Sequence, residues 1–450
     1  MSVPTVNELK SHAISIINSD KETFIDAAKT VYEIPETGFN EIKTSKFIDG
    51  QLRGLEFSVQ TGIAKTGLKA TITGKDSGPT VAVIAELDAL NVPMHLGADT
   101  ETGAAHACGH HAQIGILLGV AAALRGAFIK NSLSGKVVLI ATPAEEFIEI
   151  QERLNLRKNS EIEFLSGKQE MIRLGTFDDV DMAMMVHTAV GSGTPMLNIG
   201  GTSNAHVSHQ VRYIGKSSHA GGAPDQGINA LQAAIFANSA INTQRETFRE
   251  MDVARVHGII SRGGVAVNAV PDDILYEGRV RAKSLNALDH VSKKVIRCYK
   301  AGALSVGGSA EILEIAGYHP LRQDRNIQEI FVSNARSILG KESIKVLPKT
   351  YSQGGSTDMG DLSCIMPVIH PYTISASGVG HGADYIIEDY DRAVIAPAKV
   401  VAATVIDLLG NGASAAKKVI DGYSATYSRD NYVALQRAKF RIETYNSTFR

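Results

Sequence analysis

Three short apolar runs, VAVIAELDAL (81–90), KVVLIATPAEE (136–146) and VDMAMMVHT (180–188), alternate with stretches of helical character. An apolar run without polar alternation marks a strand covered on both faces. Strands separated by helical segments predict an α/β fold with a mostly parallel sheet. Before the first run, the pattern predicts one helix and then a strand-rich segment ending in LKATITGKDSGPT. From Gln113 onward, QIGILLGVAAALRGAF reads as a buried helix. The texture changes near Gly200, where two strand–helix–strand patterns follow in succession up to about Tyr318. They predict a small open-faced α+β sheet of ferredoxin-like type, inserted at 200–317 between a first part (1–199) and a second part (318–450) of the larger domain. The tail after Gly410 is polar and reads as a terminal helix.

The ends of the three strands carry the chemistry. Glu86 and Asp88 close the first, Glu145 and Glu146 the second, and His187 the third. Open α/β sheets bind ligands at the carboxyl ends of their strands, so these three ends with complementary chemistry predict one site.

A length of 450 residues exceeds what a single core usually organises, in keeping with two domains. A formal net charge of −2 gives no electrostatic reason to expect nucleic acid or a membrane surface as partner. Cys108, Cys298 and Cys364 are odd in number and far apart, which argues against a disulfide framework. The N-terminus has no apolar h-region, and no run is long enough without charge to span a bilayer, so a cytoplasmic location is expected.

HACGHH (106–111) puts a thiol among imidazoles at a loop-to-helix junction. Thiolate and imidazole are ligands that Zn²⁺ and neighbouring divalent ions prefer. An isolated Cys108 would read as a small buried hydrophobe, but several adjacent histidines in a core would lack partners. In TPAEE, two neighbouring carboxylates at a buried strand end repel one another unless cations or protons compensate. A metal can take one while the other serves as general base. His187 ends a strand, and His381 lies in the Gly-rich loop SGVGHGAD, with His370 a competitor for the same role. In the inserted domain, His219 sits in KSSHAGGAP, while Asn268 and Arg281 taken alone read as ordinary polar residues of strand-like stretches.

Together ELDAL, HACGH, PAEE, MMVHT, SSHAGGAP, NAVPD and GHGADY resemble the aminoacylase/carboxypeptidase family of co-catalytic metallohydrolases. Within it they are similar to the amidohydrolase branch of aminobenzoyl-glutamate and indole-acetyl-amino-acid hydrolases. The resemblance implies two divalent ions, Zn or Mn, and an inserted lid that mediates a homodimer. It implies metal ligation by Cys108, His110, Glu146, His187 and His381, with Glu145 as general base and Asp88 in support. His219 would stabilise the tetrahedral intermediate, typically from the partner subunit, and Asn268 and Arg281 would hold a substrate carboxylate. Two positions depart from the family pattern: His111 and Glu86 stand where the family usually has Asp. His111 thereby becomes a candidate for substrate binding.

The expected activity is hydrolysis of an amide bond, in an N-acyl or N-aroyl amino acid or a dipeptide-like small molecule, by metal-activated water. Three other readings remain open on the residues alone. They are a deaminase acting on an aromatic amine, a thiol hydrolase with Cys108 as nucleophile, and a non-catalytic binding protein on the same scaffold.

Overall fold

Strand Asp76–Glu86 lies inside a six-stranded sheet. It pairs in parallel with Ser134–Thr142 on one side and with Met182–Met184 on the other. Val368–Ile369 extends the parallel set, and the antiparallel pair Val59–Ile63 and Gly67–Thr73 closes the opposite edge. The computed structural model describes residues 4–352 and 354–447 and forms two compact units. The first comprises the chain up to Gly201, Arg322–Tyr351 and Asp361–Arg429. The second comprises Thr202–Leu321, Ser352–Gly360 and the chain from Asp430 onward.

In the first unit, helix His110–Arg125 is buried from His110 through Leu124, which is why it is apolar all round. Its Gly115 and Gly119 let Phe24 and the helix Ala396–Leu409 approach closely. The N-terminal segment holds three helices, Val6–Ser19, Lys21–Tyr32 and Ile42–Gly54, where the pattern had predicted one. The first opens on a capping box between Thr5 and Glu8. The break at Asp20 falls without glycine or proline, so no strong punctuation marks it in the sequence.

The run VDMAMMVHT also differs from its expectation. Its main-sheet strand stops at Met184, and His187 instead begins the strand His187–Val190, parallel to Tyr372–Ser377 in a second sheet. The backbone N–H of Ala183 donates to Pro367 O and that of His187 to Pro371 O, so the chain changes sheets alongside one neighbouring segment.

The second unit follows the order βαββαβ. Strands Ala205–Ile214, Arg255–Arg262, Asp273–Ala282 and Ser309–Ala316 form an antiparallel sheet, and helices Ala230–Gln244 and Leu285–Val306 connect them. The sheet order is that of a ferredoxin-like fold, with Arg255–Arg262 outermost. Along Asp273–Ala282 every second residue is buried, the period-2 signature of a sheet with one covered face. The tail departs from its expected form. Helices Ser414–Asp421 and Arg429–Lys439 are followed by strand Arg441–Asn446, which pairs antiparallel with Ser309–Ala316. Residues assigned by the sequence reading to the second part of the larger domain thus complete the small sheet. A six-residue polar strand paired along one side carries too little apolar alternation to be read in advance.

Candidate metal centre

Gly109 has φ +89°, and a Cβ there would overlap Thr188 Oγ1 and Tyr385 OH. Only glycine both turns the chain here and lets those hydroxyls close on the loop. Thr188 Oγ1 and Tyr385 OH lie 2.7 Å apart, and each donates to Cys108 O, at 3.2 and 3.3 Å. The thiol is therefore fixed by its own carbonyl, and its Sγ lies 3.4 Å from His187 Nε2.

Two sets of side chains converge on this sulfur. Cys108, His110 and His187 present donor atoms within 4.8 Å of one another, and so do Cys108, Glu146 and His381. The imidazoles of His110 and His187 are aimed by their Nδ1 atoms. His110 Nδ1 is 2.8 Å from Asp88 O and 3.2 Å from Asp88 Oδ1, and His187 Nδ1 is 2.6 Å from Thr188 O. Such contacts orient the ring and turn Nε2, the atom each histidine would offer to a metal, towards the sulfur. Asp88 Oδ2 also accepts from Glu146 N at 2.8 Å, so one carboxylate braces both sets. His381 has φ +63°, and its N–H donates to Ala107 O at 2.9 Å. Its ring remains half exposed, with Nε2 3.3 Å from Glu146 Oε1.

The electrostatics fit a cation. Burial, then Glu146, pushes the Cys108 thiol well up. Burial opposes charge on His110, but Glu86, Cys108 and Asp88 outweigh it and hold its pKa well above the usual value. Beyond the ion-pair contacts of their side chains, buried Asp88 Oδ1, His110 Nε2 and Glu146 Oε1 have no hydrogen-bond partner among the described residues. Buried polar atoms left so are costly. A thiolate, imidazoles and a carboxylate around such atoms make a donor set suited to Zn²⁺ or Mn²⁺.

Residues 82–407 match peptidase family M20/M25/M40. The chain belongs to this family. It is a metal-dependent amidohydrolase, as the motifs implied. It is 28% identical over 423 residues to the Xaa-Arg dipeptidase of Mus musculus, covering 89% of each chain. To the Xaa-Arg dipeptidase of Homo sapiens it is 31% identical over 333 residues, covering 70% of each. A solved structure of a dinuclear metal-binding peptidase of the M20 family from Bacillus subtilis superposes with a TM-score of 0.63 at 20% identity. The match covers 87% of this chain and 99% of that one, and at this identity the likeness speaks for the fold.

In this M20/M25/M40 chain, Glu145 and Glu146 are both 8% exposed at the end of Ser134–Thr142. Ala144 ahead of them has φ +48°, and its N–H donates to the buried Glu41 at 2.8 Å. His111 points away from solvent: it is buried, its ring 5.2 Å from that of His106 and its Nε2 3.2 Å from Tyr390 OH. Burial, with His106 next, keeps its pKa well below the usual value, so it is a neutral core histidine. His370, also buried, stacks on His187 at 5.8 Å between ring centres and stands outside both donor sets. His219, Asn268 and Arg281 belong to the second unit. His219 is exposed, and its Nδ1 accepts from Gly221 N and Gly222 N at 3.2 and 2.8 Å. Asn268 is on the neighbouring exposed loop and accepts from Ala220 N at 2.9 Å. Arg281 sits opposite His206 and Arg255 in the sheet.

Four contributors had not been singled out in the sequence: Glu41, Gln113, Lys168 and Tyr385. Lys168 is fully buried with Nζ 2.5 Å from Glu86 Oε1. A lysine in SGKQEMIR reads as a solvated helix residue. Only the tertiary fold brings it under the strand ends.

Proposed function

We propose that this chain hydrolyses the amide bond of an N-acyl or N-aroyl amino acid, or of a dipeptide-like substrate, with two divalent ions sharing Cys108. The observation that carries this reading is the pair of donor trios meeting at one sulfur, with Glu145 beside them. Cys108, His110 and His187 would hold one ion, and Cys108, Glu146 and His381 the other. When bound, the ions would supply Lewis acidity that activates water and polarises the scissile carbonyl. Glu145 takes the proton of the attacking water and returns it to the leaving nitrogen. Its low exposure keeps bulk water from competing for that proton. Asp88 keeps His110 and the Glu146 backbone in place through the cycle. His219 donates to the developing oxyanion, and Asn268 and Arg281 hold the substrate carboxylate.

The chain would act as a homodimer through its second unit. Arg255–Arg262 is the outer strand of that sheet, with Ile259 and Ile260 exposed, which suits pairing with a second copy across a two-fold axis. A thiol-hydrolase mechanism would leave Glu146 and His187, whose donor atoms also converge on this sulfur, without a role.

Chelator-treated protein, reloaded separately with Zn²⁺ and Mn²⁺ and assayed against N-acyl amino acids and Xaa-Arg dipeptides, tests the reading. Amide cleavage restored by either ion is the expected result. Protein carrying two ions per chain and cleaving none of these amides would overturn it.

A further inference from the structure

Lys168 is completely buried, and its ammonium touches Glu86 Oε1 at 2.5 Å. Taking both charges out of water costs much of what their attraction returns. The pair is held firmly nonetheless. Gly167 N donates to Ala144 O at 3.1 Å, and a Cβ on Gly167 would overlap Pro143 O, so the helix Gly167–Arg173 starts tight against the turn carrying Glu145 and Glu146. Gln113 clamps Glu86 from the other side, its Oε1 accepting from Glu86 N at 2.9 Å and its Nε2 donating to Glu86 Oε2 at 2.8 Å.

The remaining face of Glu86 Oε2 meets a metal-ligating atom. It lies 3.1 Å from His110 Nε2, in a contact without hydrogen-bond geometry, and His110 is 0% exposed. Glu86, His110 and Glu145 present donor atoms within 4.8 Å of one another, a third set in addition to the two on Cys108. Two carboxylates and an imidazole suit a hard or borderline dication. His110 Nε2 can ligate only one ion, and Glu145 is required elsewhere as the proton acceptor. An ion drawn to this third set would therefore disable the centre.

We infer that Lys168 is a built-in cation that withholds Glu86 from the metal centre and confines the ions to the two positions sharing Cys108. Its ammonium occupies one carboxylate oxygen, neutralises Glu86 and repels a dication at the third set. Lys168 acts through Glu86 and is a positioning residue. The inference rests on the two-ion reading of the preceding section.

Replacing the ammonium by an isosteric apolar chain leaves Glu86 anionic and available. Lys168→Met should bind Mn²⁺ at least about tenfold more tightly, or take up a further equivalent, by calorimetric titration of the full chain. Lys168→Gln should move in the same direction. Both should gain more thermal stability from Mn²⁺ than wild type does, a readout that holds even if they are poorly folded without metal. The double variant Lys168→Met/Glu86→Gln removes the anion as well, and should return to wild-type stoichiometry and affinity. Single variants with wild-type Mn²⁺ binding and no extra Mn²⁺ stabilisation overturn the inference, as does a double variant that keeps the gain. Wild type that binds two ions while the single variants gain nothing defeats only the role of Lys168. Wild type that binds no ion defeats the two-ion reading and this inference with it.

Discussion

Cys108 Sγ lies 3.4 Å from His187 Nε2, bringing together residues 79 positions apart. The sulfur also belongs to the trio with Glu146 and His381, so in the proposed two-ion arrangement both positions would depend on it. Cys108→Ala should therefore empty both, and not one alone. Elemental analysis should show metal falling from about two equivalents towards none. A variant that keeps one full equivalent would mean that the sulfur is not shared.

The neighbouring carboxylates separate by role. Glu145→Gln keeps the shape but removes the proposed base, so metal should stay bound while kcat falls by about 10²–10⁴. Glu146→Gln should instead weaken metal binding, because it removes a negative charge from the donor set and from beside His381. Near-normal turnover in the first variant would assign the proton transfer to another group.

The Glu41 carboxyl is pushed up to about 7 by burial and by Asp88, from an ordinary value of 4.5. For a group whose pKa is raised on folding, the stability contribution is fully present below the unfolded value and is lost as pH rises through the folded one. In Glu41→Gln, the amide oxygen can accept from Ala144 N while the NH₂ faces Thr66 Oγ1, with nothing left to ionise. Metal-free wild type should therefore lose stability relative to this variant between about pH 5 and pH 8. Denaturation midpoints of both proteins at the two pH values check this, and parallel changes would sink it.

Much of the centre was legible because its parts are local motifs or strand ends. HACGHH and TPAEE mark a thiol, imidazoles and paired carboxylates as candidate donors, the family resemblance singles out Cys108, His110 and Glu146 among them, and the bare apolar runs locate the sheet that delivers them. From the sequence His187 reads as the end of a main-sheet strand, whereas it opens a strand of the second sheet. Its half-buried place beside Cys108 is a tertiary fact. Lys168 and Glu41 left no signal, because a charged residue in a helical stretch or a loop reads as solvated until the fold closes over it. His111 shows the converse. Its place in the motif suggested contact with substrate, but its ring is enclosed by Tyr32, His106 and Tyr390. The terminal strand Arg441–Asn446 was hidden because pairing with Ser309–Ala316, rather than its own pattern, makes it a strand.

The role proposed for His219 can be tested by complementation. His219 is exposed on the second unit and belongs to neither donor trio, so His219→Ala should retain its metal and its folding while losing turnover. Glu145→Gln should be inactive for a different reason, with its His219 intact. If His219 serves the neighbouring copy in a two-fold dimer, each homodimer is nearly inactive. In the mixed dimer, the chain with intact Glu145 receives an imidazole from its partner. Subunit exchange should then restore up to about half of wild-type activity per mixed dimer. Mixed dimers verified by mass that stay inactive would exclude service in trans. If His219→Ala also lost its metal, the residue would be supporting the fold of the centre and not its chemistry.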